Sequence, residues 1–479
     1  MKVATVEAIA KLARRASTCD SVSAAYGGAT SATDFGPLYL IPKPFDPRLL
    51  SEIAPAVAQA AATSGVASRP IADMARYKQQ LTSFVYRTNL FMGQMFEKTK
   101  ESVQRVVLAE GEDARVLQAV RVAVDEGICA PILIGRREKI ELLNRQLGLK
   151  LPLRFHDSID EEDQDGAQSF VEVMDIRNDP RYKRYHKEYF SIMARKGISP
   201  DTAKYHINTN PTVLAAVMVR LGDADAMLSG TIPRYSYHRE MQRVASIVGM
   251  QPGVKFPAGM GLLVMPNRGA HFFADTQVTQ EPDAEQLASI TLMASEAVRR
   301  FGLTPRAALL SHSNFGSGPS PKQETIARAA RLVRELAPDL EVDGEMQALT
   351  ALNKAVRDSR MPDSALVGNA NLFVMPNLDA ASISYQLVKG LSNGMEVGPI
   401  TLGLSRSAHL VHSAISTRGL VNMLAVAAVE AQHLQAAGGT PRQDDPCTTA
   451  SSASLDDPGA PLFSTAGSWD DSVVSALNN

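Results

Sequence analysis

Small hydroxyl, glycine and acidic residues recur where apolar runs end, and these are the residue types that can hold an anion or move a proton. Ser311, Ser313, Asn314 and Gly316 lie in SHSNFGSG, between the apolar run RAALL and a helical pattern from about Lys322. Such residues let backbone N–H groups approach an anion at a helix N-terminus, the chemistry of a phosphate cradle. They equally suit an ordinary strand-to-helix turn. LEVDGEM puts Asp343 and Glu345 around Gly344 in what reads as a second strand-to-helix loop. Paired carboxylates there can hold a cation or exchange protons; the residues alone favour the plainer role of acids that start a helix. MPNLDAASISYQL brings Asn377 and Asp379 to a third strand end, as helix caps or ligand contacts. AEGED at 109–113 is a fourth. Four such ends together point to one crevice at the carboxyl edge of an α/β sheet. RYSYHRE at 234–240 gathers two arginines, His238 and two tyrosines. Arginine forks suit phosphates, while an exposed helix face is the blander reading. HExxH, Walker and GxGxxG patterns are all missing, so no zinc motif or complete nucleotide site is expected.

The elements that must carry these residues alternate. RVVLAEGED, APILIGR and ADAMLSGT read as strands, and ARVLQAVRVAVDEG and REKIELLNRQLG read as helices with apolar residues at helical spacing. The pattern resumes from 236 to 405 with GMGLLVMPN, HFFADTQV, AEQLASITLMASEAVRRFG, RAALL and NLFVMPN, read as further strand–turn–helix units. The alternation predicts mostly parallel sheets. Residues 1–95 open with an amphipathic helix. Pro37, Pro42, Pro44 and Pro47 then force an extended path, and Asp46-Pro47 reads as the start of a helix to about Ser64.

The chain has 479 residues and a formal charge of −2, which argues against a general nucleic-acid binder. From Gln435 the composition turns to Gly, Pro, Ser, Thr and Asp, the signature of an acidic, disordered tail. Without that tail 48 basic residues face 45 acidic ones, a net +3 that suits an anionic small ligand. Cys19, Cys129 and Cys447 are odd in number and far apart, so the expected compartment is reducing, the cytoplasm. No apolar run approaches the ~18 residues of a membrane span.

From 105 to 432 the chain resembles the phosphotransacetylases, the phosphate acetyl/butyryl transferases. The strings that carry the likeness are VVLAEGEDARVLQAV, PILIGR, LGDADAMLSGT, LLSHSNFGS, LEVDGEMQ, NLFVMPNLDAASISYQL and VGPITLG. RNDPRYKRYHKEYF, NFGSGPSP and FFADTQVTQEP narrow it to the phosphotransacetylase-like C-terminal half of bacterial NADP-dependent malic enzymes. KVATVEAIAKLAR, FGPLYLIPKPFDPRLL and YKQQLTSFVYR resemble the end of the malic domain. The resemblance implies an α/β, two-lobed, isocitrate dehydrogenase-like fold with parallel-rich sheets. Residues 1–95 would be a C-terminal remnant of the NAD(P)-binding malic domain, 96–235 plus 406–434 one lobe, 236–405 the other, and 435–479 the tail. The NADP and divalent-metal sites of a full malic enzyme have no counterpart in this reading. Malate decarboxylation by this polypeptide alone is not expected.

In active members of the transferase family a Ser-Arg pair and a following Asp are assigned to thiol and carbonyl chemistry. The resemblance places His412 and Ser413 at the pair and Gly419 at the Asp, and Gly390 where a further arginine falls. His412 could act as a base, and Arg418 lies close by, but neither restores the set. Losing such groups removes orders of magnitude in rate, whereas acyl-CoA binding through pocket shape and phosphate contacts can survive. The implied function is a truncated malic enzyme serving as a non-catalytic, acetyl-CoA-binding module that builds an oligomer, at least a dimer. It would carry no covalently bound cofactor and no metal, and could meet a separate malic domain. The alternatives are an active phosphate acyltransferase and a decayed fragment. Ligand contacts are expected at Ser311, Ser313, Asn314, Gly316, Asp343, Glu345, Asn377 and Asp379.

Overall fold

The computed structural model describes residues 1–14, 41, 49–69, 71, 73–155, 170–175, 179–232, 236–265, 268–392 and 394–438, without the side chains of 51, 79–80 and 82–91. The proline-rich stretch with Asp46-Pro47, Cys19, Arg234, Tyr235, Cys447 and nearly all of the acidic tail lie outside the described residues. Three helices lead in: α1 (Lys2–Arg14), α2 (Ala54–Thr63, after a π turn at Leu49–Ile53) and α3 (Met74–Glu101). The amphipathic pattern at the N-terminus does form a helix. Leu12 and Ala13 are buried, while Val3 and Val6 stay 69% and 66% exposed. Asp73 caps α3 by accepting from the Arg76 N–H. Met92 and Met95 of α3 enter the main core.

Among the described residues short aliphatic runs then make twelve strands in two six-stranded sheets. The first sheet holds β1 (Arg105–Leu108), β2 (Ala130–Ile134), β3 (Leu153–Phe155), β4 (Val171–Met174), β5 (Ala226–Ser229) and β12 (Ser407–Leu410) in the order β12-β5-β1-β2-β4-β3. Every pairing in it is parallel. The second holds β6 (Ala258–Met265), β7 (Gly269–Ala274), β8 (Arg306–Leu310), β9 (Glu341–Met346), β10 (Leu372–Val374) and β11 (Met395–Leu402) in the order β11-β6-β7-β10-β8-β9. Here β7, β10, β8 and β9 run parallel, while β6 is antiparallel to both β7 and β11. GMGLLVMPN and HFFADTQV are therefore the arms of a hairpin, not successive strand–turn–helix units. The few residues between them cannot make the crossover that a parallel neighbour needs. LEVDGEM also differs from expectation. It is strand β9 itself, so Asp343 and Glu345 sit within the sheet, not in a loop after it.

Helices cover the sheets. They are α4 (Ala114–Asp125), α5 (Arg137–Gln146), α6 (Tyr182–Met193), α7 (Pro200–Thr209), α8 (Pro211–Leu221), α9 (Tyr237–Val248), α10 (Ala284–Arg300), α11 (Pro321–Leu336), the short α12 (Ala348–Leu352) and α13 (Lys354–Arg360), α14 (Leu378–Ser392) and α15 (Thr417–Ala436). Alternation along the strands decides what each face meets. Val107, Ile132, Ile134 and Met227 face the cluster built by α6 to α9. Val106, Leu108, Leu133 and Leu228 face the opposite way, into a core shared with α4, α15 and one face of the second sheet. The other face of that sheet packs Phe273 and Phe373 against Ala381 and Tyr385 of α14.

Helix α15 is buried from 420 to 431 without a break. A helix buried all round must be apolar, and Glu430 is its one charged buried residue. Glu430 accepts from Arg300 of α10 at 2.6 Å and lies 3.0 Å from His409 Nε2 of β12. The His409 Nδ1 in turn accepts the Thr401 N–H of β11 at 3.1 Å, so its proton sits on Nε2 and points at Glu430. Burial opposes ionisation of Glu430, but Arg300 and His409 outweigh it and hold the carboxyl at about 2, against a usual 4.5. Its pairing therefore adds stability above pH 4.5 that is lost as pH falls towards 2. Glu430→Ala is expected to cost about 3–5 kcal/mol at pH 7 in urea unfolding, because it strands a buried guanidinium. Glu430→Gln is expected to lose less stability than the parent between pH 5 and pH 3, and equal acid sensitivity would contradict this account.

Candidate functional site

The hydroxyl and glycine residues after β8 meet the end of β9, and most of their polar groups bond one another; the buried Gln323 Oε1 has no partner among the described residues. Glu345 is buried, and one of its oxygens accepts the Gly316 N–H at 2.7 Å and the Gln323 amide at 2.6 Å. The same amide donates to the Ser313 hydroxyl at 2.6 Å. The Phe315 N–H goes to the Glu345 carbonyl and the Ser311 N–H to the Met346 carbonyl, both at 2.9 Å. Asn314 exchanges hydrogen bonds with Gln347 at 2.9 and 3.1 Å. Loop donors that were expected to face a bound anion thus have an internal one, the Glu345 carboxylate. A buried carboxylate must be satisfied, and one main-chain N–H and one side-chain amide do it. Phe315 and Gly316 have positive φ, which bends the loop around the carboxylate.

The other expected contacts separate from this cluster. Asp343 accepts from the Ser364 hydroxyl at 2.7 Å and from the Ala365 N–H at 3.1 Å, anchoring the segment before β10. Asn377 accepts the Ala380 N–H at 3.0 Å, as a helix cap does, and donates to Glu281 at 3.2 Å. Asp379 is exposed in the first turn of α14. Ser413 is exposed, and Gly419 lies in the first turn of α15, its N–H on the Ser416 hydroxyl at 3.1 Å. Among the described residues no hydrogen bond joins the Ser311–Glu345 group to His412.

His412 stands elsewhere, at the seam where the two sheets approach. It follows β12, and the Gln277 amide lies 3.3 Å from its Nε2 across the seam. An amide N–H only donates, so Nε2 accepts and the neutral ring carries its proton on Nδ1. The Tyr237 ring of α9 lies 5.8 Å away, tilted by 40°. Burial holds the His412 pKa below its ordinary value; the Glu396 carboxylate works against that and the Lys389 ammonium with it.

The sheet face beneath is shaped for polar groups. A Cβ on Gly259 would come within 2.6 Å of Gln277, and one on Gly261 within 2.5 Å of the Tyr385 ring, so both side chains lie directly on bare backbone. Tyr385 donates to Glu396 at 2.9 Å, and Lys389 pairs with the same carboxylate. Asp275 accepts the N–H groups of Gly259, Gln277, Val278 and Thr279 at 2.8–3.1 Å and so fixes the turn that carries Gln277. Burial pushes the Asp275 pKa up, and those donors oppose the push. The buried hydroxyl of Thr276 finds no hydrogen-bond partner among the described residues, and that of Thr401 lies beside the Tyr237 phenol. Sequence reasoning missed Asp275, Thr276 and Gln277, although ADTQ follows a strand just as SHSN does. Tyr237 lay in the flagged RYSYHRE cluster. Nothing in the sequence marks Glu396 or Lys389.

Among the described residues no group of three or more His, Cys, Asp or Glu side chains is placed to hold a metal ion. No described helix is long and apolar enough to cross a membrane. A cleft of about 480 Å³ between α1, α2 and the start of α3, lined by Lys11, Pro55 and Met74 among others, shares no residue with the seam.

Comparison with known proteins agrees with this architecture. The chain is 48% identical over 433 residues to an NADP-dependent malic enzyme of Escherichia coli, a match that takes in 90% of this chain and 54% of the relative. It thus spans about half the length of that relative. It is 30% identical over 352 residues to a phosphate acetyltransferase of Acetivibrio thermocellus, covering 72% of this chain and 99% of that one. A solved phosphotransacetylase from Streptococcus pyogenes superposes with a TM-score of 0.64 at 26% identity, over 72% of this chain and 99% of its own. The family profile for phosphate acetyl/butaryl transferase matches residues 90–428. With a phosphotransacetylase fold over the matched length and relatives of both kinds, the chain belongs to the phosphate acetyl/butaryl transferase family, in the form that malic enzymes share.

Proposed function

We propose that the seam around His412 binds an acyl-CoA, acetyl-CoA foremost, and that the chain is a non-catalytic binding and oligomerising module of malic-enzyme type. The observation that carries this reading is the polar convergence on an otherwise apolar sheet face. Gln277, Tyr237, Thr401 and His412 meet there, and the buried hydroxyl of Thr276, next to Gln277 in the chain, lacks a partner among the described residues. Leaving such a group unsatisfied costs about 1–3 kcal/mol, a cost that a thioester carbonyl or an amide of the CoA arm would offset. The +3 charge outside the acidic tail favours an anionic ligand. The expected partners are acyl-CoA and a second copy of the chain. In this proposal malate chemistry belongs to the length of such relatives that the chain does not match.

Absence of turnover follows from the side chains present. Exchange of an acyl group between CoA and phosphate needs a base for the thiol and a cation or donor at the tetrahedral carbonyl. Ser413 engages its loop through its carbonyl, on which Arg115 donates at 2.6 Å. Gly419 has no side chain, and a Cβ there would come within 2.8 Å of Ile415. A second reading, an active phosphate acyltransferase, has one observation in its favour: His412 is held neutral, the form in which an imidazole accepts a proton.

Calorimetry on the purified chain is expected to show saturable acetyl-CoA binding at micromolar protein, weakened tenfold or more by His412→Ala or Gln277→Ala. CoA-dependent consumption of acetyl phosphate is expected to be absent, and robust turnover would select the second reading instead. The double variant His412→Ser, Ser413→Arg is expected to stay inactive, because position 419 still lacks a carboxylate. High activity in it would show that the acyl-transfer chemistry needs no group at Gly419.

A further inference from the structure

Arg115 satisfies all five of its N–H donors, and the acceptors come from three strand ends. Nε and Nη2 take the Asp113 carboxylate at 3.2 and 2.7 Å, and Asp113 also caps α4 by accepting the Arg115 N–H at 2.8 Å. The remaining Nη2 donor reaches the Thr231 carbonyl, beyond β5, at 3.1 Å. Both Nη1 donors reach the segment beyond β12, to the carbonyls of Ser413 at 2.6 Å and Ile415 at 2.9 Å. One planar fork thereby ties the ends of β1, β5 and β12 together, with Asp113 fixing its plane.

The fork grips main-chain oxygens, so its hold on this segment does not depend on which side chains the segment carries. It also works on a part of the chain that has no slack. A Cβ on Gly230 would come within 2.2 Å of the Val411 carbonyl, so the β5 turn lies hard against the residue before His412. Glu110, at the end of β1, holds that turn by accepting the Gly230 N–H at 3.0 Å and the Ser229 hydroxyl at 2.9 Å. His412 is thus pinned from below by Val411 and from the C-terminal side by Arg115, and it meets Gln277 across the seam.

We propose that Arg115 is a positioning residue for the seam site: its guanidinium sets the 411–416 segment so that His412 faces Gln277 and Tyr237. This rests on the acyl-CoA reading for its function but not for its geometry. Removing the fork frees three carbonyls, two of them in this segment, and lets the His412 ring turn towards solvent. The groups that face that ring are Gln277 after β7, Tyr237 on α9, Glu396 on β11 and Lys389 on α14, and none of them is altered by a change at Arg115.

The test uses the full chain with Arg115→Ala and Arg115→Lys, following the His412 ring by NMR through a pH titration, with His412→Gln to assign it. In the parent His412 is expected to titrate below the ordinary ~6.5 of a free histidine. Both variants are expected to move it up towards that value, because exposure removes the burial that depresses it. Arg115→Lys keeps the positive charge but lacks the fork, so a shift shared by both variants reflects position, not charge. Low-millimolar guanidinium is expected to reverse the shift in Arg115→Ala, and acetyl-CoA affinity is expected to fall tenfold or more in both. If Arg115→Ala does not fold, Arg115→Lys carries the same readout. An unchanged His412 titration in a folded variant overturns the proposal. Failure of the parent to bind acetyl-CoA would overturn the binding reading alone, since the titration is read without ligand.

Discussion

Helix α15 runs buried between two sheets, and the rest of the molecule is arranged around that fact. A helix in that position cannot show water a polar face. Its residues from 420 to 431 are accordingly Ala, Val, Leu and Met, apart from Asn422 and Glu430. Small side chains let both sheets come close; the single carboxylate has to be neutralised on the spot. Arg300 reaches it from α10, beside the second sheet, and His409 from β12 of the first, so the charge that would be most costly to bury becomes the point where the two halves meet. His409 also accepts the Thr401 N–H of β11, which carries the same connection from sheet to sheet.

That arrangement explains why the polar seam lies where it does. The chain can place α15 between the sheets only by returning to the first sheet through β12, and the residues between β12 and α15 must then cross the gap. His412 is in that crossing. On the far side β6 offers bare backbone at Gly259 and Gly261, and Gln277 and Tyr385 lie over it. Hydroxyls, an imidazole, an amide and an ion pair are gathered on a face that is otherwise apolar. The Ser311–Glu345 cluster is held by its own hydrogen bonds, with Gln323 Oε1 left unpaired among the described residues. Two clusters of similar composition thus differ in where they lie. Each leaves a buried polar atom over, Gln323 Oε1 in the first and the Thr276 hydroxyl in the second, but the second lies where the two sheets approach, and such boundaries are where ligands are commonly held.

Much of this was legible in the residues. Glycine and acidic residues after RVVL, APILI and AMLS mark strand ends, and strands and helices follow from period-two and helical spacing. The sequence likeness to phosphotransacetylases carried the fold and the family. What misled was local logic applied without a partner strand. LEVDGEM contains Asp, Gly and Glu, all poor strand formers, yet the pairing with β8 overrides propensity because both of its acids find acceptors' complements in place: Ser364 for Asp343, and Gly316 with Gln323 for Glu345. The hairpin of β6 and β7 was read as two units because periodicity says nothing about strand direction.

The sequence by itself determined the alternation of elements, the apolar character of α15, the position of His412 after the last strand, and the family. These depend on residue type and order, which act locally. Only the tertiary structure decided which polar groups serve the protein and which remain for something else. Whether Glu345 faces a ligand or the Gly316 N–H, and whether Arg115 is a surface cation or a fork on three strand ends, depends on groups distant in sequence that close packing brings within hydrogen-bonding distance. A buried donor or acceptor has to be satisfied by whatever is nearest in space, and nearness in space is not written in any one segment of the chain.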